Sequence, residues 1–222
     1  MVNGSGFDNP AALSGILTGV SFVGGLATGL SLADAPFPQP GADVKDVQKF
    51  FQGDAGAERI NVTGQLLSAA SLAVFSRSVA QLTGRTGSGS KMLKAAAIAG
   101  GALASTSLAA SATAAAALTS GPGRDKDQAK SLHRFLFAAG GPVHGGGLAL
   151  LLGALGMAGL RTAALPRLLA IAALAAAGVN ALAPAVLAVP KAALVIPAGR
   201  FPTFVILGIA GFRLARGTTR AG

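Results

Sequence analysis

FLFAAGGPVHGGGLALLLGALGMAGL, residues 135–160, runs for 26 positions without a charged side chain. A hydrocarbon core of about 30 Å needs about 20 apolar residues in a helix, at ~1.5 Å of rise each. The stretch is therefore long enough to cross a membrane, and it decides the fold class of the chain. Its middle is irregular, because Pro142 and His144 sit among Gly140, Gly141, Gly145, Gly146 and Gly147. Proline withholds a backbone donor and histidine brings an ionisable ring, so a spanning helix here carries a break and a polar group together.

The composition points the same way. Of the 222 residues, 51% are hydrophobic and 12% charged, and the mean hydropathy is +0.59, whereas soluble domains carry about 25% charged residues. A net charge of +10 invites a nucleic-acid reading. The Lys and Arg residues lie between apolar runs, however, and form no stripe on an amphipathic element. That is how loop charges of a multi-pass protein meet anionic head groups, so the expected partners are membrane lipids and other membrane-protein subunits, with no nucleic acid. There is no cysteine, which excludes disulfides, thiolate metal sites and cysteine nucleophiles. Trp and Tyr are also absent, so Phe and the Arg/Lys at the span ends must anchor the helices at the interfaces.

Working outward, apolar runs predict six spans at about 11–32, 60–82, 92–118, 135–160, 167–189 and 192–214. The expected fold is all-α, a polytopic integral membrane helix bundle forming a single transmembrane domain. The first ten residues have no Lys or Arg, so the first span is not read as a cleaved signal peptide. Gly15, Gly19, Gly25 and Gly29 form two small-xxx-small pairs on that span, suited to close helix packing within the chain or against a second copy. In the polar segment 41–59, Val44, Val47, Phe50 and Phe51 fall at helical spacing opposite Lys45, Asp46, Gln48 and Lys49. This describes an amphipathic segment lying on the membrane surface, or a packed loop helix capping the bundle. The third span is rich in Ala, Ser and Thr and is expected at the bundle centre. Pro190, Pro197 and Pro202 interrupt the last run, which predicts either a proline-broken half from about Ala192 or a thin, tilted pass, with Arg200 at the loop side.

Six spans put both termini on one side, and each side holds nine Lys or Arg. Seven of the eight acids lie on the side away from the termini, which tips the expectation to cytoplasmic termini in a cell membrane.

His144 is the only ionisable residue that hydropathy alone places near a bilayer midplane, which makes it a candidate functional group. The plainer reading is a neutral imidazole bonded to a carbonyl freed by Pro142. Asn180 and Gln65 are the other intramembrane polar candidates; the amide of Asn180 could pair with His144 or Gln65 as interhelical glue. Gln65 shares one face of the second span with Glu58 and Asn61. His133 lies eleven residues before His144, ~16 Å away along a helix, so the two cannot share a metal. GRTGSGSK (84–91) superficially resembles a phosphate loop but lacks the first-glycine spacing and a preceding strand. No catalytic, cofactor-binding or metal-ligating residue is assigned.

The segment KFFQGDAGAERINVTGQLLSAASLAVF (49–75) and the LPR turn (165–167) give the chain a resemblance to uncharacterised bacterial multi-pass membrane proteins grouped as a domain of unknown function. The resemblance implies a six-helix membrane protein and transfers no functional residue. The function expected first is a non-enzymatic accessory or assembly subunit acting through helix contacts. The alternative is a small transporter or channel with a path past His144 and Asn180. A membrane-embedded enzyme acting on lipid comes third.

Overall fold

The computed structural model describes residues 9–53, 55–189 and 194–216. Among them no strand occurs, and six helical segments are long and apolar enough to cross a membrane. A 3-10 turn at Pro10–Leu13 leads into α1 (Ser14–Leu32), and the polar segment holds α2 (Val44–Gly53). Two long helices follow, α3 (Ala55–Thr83) and α4 (Ser90–Leu118), then the single turn α5 (Gly121–Arg124). The opening stretch lies in one rod, Lys126–Thr162, made of α6 (Lys126–Ala138), a π turn (Ala139–Val143) and α7 (His144–Thr162). The chain closes with α8 (Arg167–Ala181), a 3-10 segment (Ala183–Leu187) and α9 (Val195–Ala215).

Sequence neighbours are neighbours in space. The spans pack in the order α1, α3, α4, α7, α8, α9, and α9 returns to α1 to close a ring. Small residues set the antiparallel seams: Gly25 of α1 backs onto Gly64 of α3 and Gly29 onto Asn61, while on the other flank Gly19 meets Phe204 of α9. The Asn9 N–H donates to the Leu214 carbonyl at 3.2 Å, so both ends of the described chain lie on one face.

Large side chains fill the ring on that terminal side. Leu72, Phe75 and Val79 of α3 meet Leu148, Leu151, Leu152 and Leu155 of α7 and Leu207 and Leu214 of α9. The seams therefore carry close backbone approach, and the bulky Leu and Phe supply the volume in the middle.

Two sequence expectations change, and of the two readings of the polar segment the capping helix is the one found. α4 is a member of the ring, with Ala95, Ala99, Ala102 and Thr106 facing outward, because Leu and Phe of α3 and α7 occupy the centre that small side chains cannot fill. The apolar face of α2 does not lie in lipid: Val47, Phe50 and Phe51 are buried against Ala114, Ala115, Leu118, Ala129 and Leu136, so α2 caps the bundle, and 55–59 belong to α3. The last span is one continuous helix of 21 residues, ~31 Å long at ~1.5 Å per residue, and needs neither thinning nor a break. Pro197 sits in its first turn, where no intrahelical donor is required. Residues 190–193, where the predicted half from Ala192 begins, lie outside the described residues.

Candidate functional site: a polar core at the π turn

The site starts from the backbone. An α-helix would send the His144 N–H to the Gly140 carbonyl; here it is shared between Ala139 O, one residue further back as in a π turn, and Gly141 O. Pro142 contributes no N–H inside this turn. The Gly140 carbonyl, released from its α-helical partner, accepts from Nη2 of Arg200 on α9.

Arg200 is thus brought from α9 across to the α6–α7 rod. Its guanidinium lies over the Phe22 ring, 5.2 Å from the centroid, and Phe22 packs on Phe204 with centroids 4.9 Å apart. Phe22 is close to the middle of the Pro10–Leu32 span, which puts the charge near mid-depth of the bundle. Arg200 shares a helical stripe with Phe204, Leu207 and Gly211, all buried. Arg200 itself is half-buried, and its Nε is buried without a partner. No carboxylate pairs with it among the described residues.

This corrects the sequence reading, in which Arg200 belongs to a loop and His144 is the only ionisable group near the midplane. Glycine and proline on both sides of Arg200 suggest a break, and they concealed it. The usable signal was the 4–3–4 spacing from Arg200 through Phe204 and Leu207 to Gly211, which makes one stripe of a continuous helix.

His144 is wholly buried, and its Nδ1 lies 2.9 Å from the Ala104 carbonyl of α4. A carbonyl only accepts, so Nδ1 carries the hydrogen and Nε2 is left as a lone pair. That Nε2 has no partner. The bonded carbonyl is not one freed by Pro142, as the plainer sequence reading has it. It comes from the neighbouring helix, which approaches because position 147 is glycine: a Cβ there would stand 2.5 Å from Ala104 N.

Asn180 pairs with neither His144 nor Gln65. Its Nδ2 donates to Ala176 O at 2.9 Å, to Thr203 Oγ1 at 3.0 Å and to Gly199 O at 3.2 Å, which ties α8 to α9 beside Arg200. It also borders His144's neighbour: a Cβ on Gly145 would lie 3.8 Å from Asn180 Oδ1. His144, Asn180 and Arg200 are thus gathered where the rod, α8 and α9 meet.

Gln65 is elsewhere. It donates to Asn61 Oδ1 at 3.2 Å, and Asn61 donates to the Glu58 carboxylate at 3.1 Å, a ladder along α3 with Asn61 packed on Gly29. The four packing candidates all face helices of the same chain. Gly15 meets Leu207 and Phe75, Gly19 meets Phe204, Gly25 meets Gly64, and Gly29 meets Ala57 and Asn61. His133 is buried among Phe51 and Phe137 and borders a surface cavity of about 390 Å³ with Lys130 and Arg134, away from the polar core. Among the described residues no group of three His, Cys, Asp or Glu could hold a metal ion.

No protein-family model matches this chain, and neither a curated protein nor a solved structure does.

Proposed function

We propose that this multi-pass membrane protein is a small solute carrier whose path passes His144, Asn180 and Arg200. One observation carries the reading: polar groups without full partners collect near mid-depth, where the regular helices are interrupted. The π turn Ala139–Val143 breaks the rod and the 3-10 segment Ala183–Leu187 follows Asn180, while α9 stays continuous through Pro202. Discontinuous helices in carriers present such backbone and side-chain groups to a solute. The glycines that would serve contacts with another subunit are used within the chain, which weakens the assembly reading.

A carrier fits better than an open channel. The ring is packed with Leu and Phe on the terminal side, so passage requires α9 or the rod to move. The same reading sets the terminal face in the cytoplasm. Arg77, Arg85, Lys91, Lys94, Arg161, Arg167, Arg213 and Arg216 lie there with no carboxylate among the described residues, whereas the described acids lie at the other face.

The test is solute uptake into proteoliposomes by the wild type and by His144→Ala. Loss of uptake in a variant that still folds supports the carrier; unchanged uptake removes His144 from the path. A second reading, an accessory or assembly subunit, is favoured by the outward face of α8. Leu168 is 80% and Ile171 46% exposed there, and Gly178 has no atom within 4 Å of a Cβ position. Isolation from the native membrane in mild detergent separates the two, since a stoichiometric partner subunit supports assembly and a lone chain with uptake supports the carrier.

A further inference from the structure

Resting on the carrier reading, we infer that the solute is a small monovalent carboxylate or oxyanion and that Arg200 is the group that binds it. The guanidinium lies inside the bundle over Phe22, a residue near the middle of the first span, with no carboxylate paired to it among the described residues. In so apolar a setting an uncompensated charge is strongly unfavourable, and cations inside membranes are ordinarily paired or water-exposed. Its contacts are a backbone carbonyl and the face of Phe22, both neutral. The Nε–H remains an unused donor, and a planar guanidinium matches the two oxygens of a carboxylate or phosphate better than it matches a point anion.

The Gly140 contact has a second role. The Gly140 carbonyl, left without its helical partner by the π turn, holds Arg200, so an incoming anion competes with that carbonyl for the same guanidinium. Anion binding then loosens the tie between α9 and the rod. Asn180 and Thr203 stay linked to Gly199, one residue from Arg200, and keep the base of the site in place. Phe22, Phe204 and Leu108 pack together beside the charge, which favours a small solute over a lipid-sized one.

The experiment uses full-length protein in detergent and in proteoliposomes, with acetate, lactate and inorganic phosphate as probes at constant ionic strength. Acetate or lactate should raise the melting temperature of the wild type in a saturable way and be taken up into vesicles. Arg200→Gln should weaken that binding at least tenfold, and Arg200→Lys, which keeps the charge without the planar fork, should bind carboxylates more weakly than the wild type and fold where Gln does not. Equal shifts in all three proteins, or none with any probe, overturn the assignment. Uptake of a neutral or cationic solute that survives Arg200→Gln also overturns it, while leaving the carrier standing. Arg200-dependent binding without uptake in any gradient upholds the anion site and removes the carrier.

Discussion

His144 presents one donor that is paired and one acceptor that is not. Ala104 O, which takes the Nδ1 hydrogen, also accepts the Ser107 hydroxyl at 3.1 Å, so it stays paired when the imidazole is removed. Leucine has nearly the volume of histidine and carries no orphan lone pair, and exchanging a half-satisfied polar group for an apolar one of like shape is close to neutral. His144→Leu should therefore change unfolding stability in detergent by less than about 1 kcal/mol while abolishing uptake. A large loss of stability instead would show a purely structural histidine. Asn180→Leu should behave differently, because it cuts the links from α8 to Gly199 and Thr203. A loss of about 1 kcal/mol is expected, the usual size of an interhelical hydrogen bond in a membrane, and an unaltered melting curve would contradict it. Asn180 and His144 were both legible in the sequence as polar residues in apolar runs. Their partners were not, since Ala104 and Thr203 are indistinguishable in sequence from their many Ala and Thr neighbours. Arg200 was hidden by flanking Gly199 and Pro202, which imitate a loop.

At the scale of the helices, glycine placement decides which faces meet. A Cβ on Gly64 would lie 2.5 Å from Ser21 O and 2.7 Å from Gly25 Cα, so any side chain there must push α1 off α3. Gly24 stands next to Gly25 in sequence but has nothing within 4 Å of its Cβ position. Gly64→Leu should cost about 1–3 kcal/mol or more as overpacking, whereas Gly24→Leu should leave the thermal transition where it is. Similar shifts in both would mean that composition, rather than the α1–α3 seam, governs stability. The helices themselves were legible because apolar runs of spanning length have few alternative fates in a chain with so few charges. The π turn was legible only as an anomaly at Pro142. Which faces pack was not, because with 32 glycines the spacing of any pair matches a packing motif by chance.

For the molecule as a whole, the ring has a filled half and a polar half, and its two faces differ in charge. The terminal face carries Lys and Arg without described acids; the opposite face mixes both signs around α2 and the start of α6. Cations retained on the cytoplasmic side orient a multi-pass chain, and acids contribute little; with Arg200 inside α9 the basic residues divide nine to eight, so the orientation is a measurable question rather than a consequence of the fold. The absence of cysteine makes the measurement clean, since a single introduced thiol is the only reactive one. Ser88→Cys lies in the loop between α3 and α4 on the terminal face, and Gly121→Cys lies beyond the far end of α4, with open space around it. In intact cells an impermeant maleimide should label the Gly121 variant and spare the Ser88 variant, and permeabilisation should expose Ser88 as well. The reverse pattern would place the termini outside and turn the Arg200-bearing half of the ring toward the cytoplasm. In that arrangement the anion would be loaded from within, so the direction of gradient-driven uptake and the labelling pattern must agree for the carrier reading to hold.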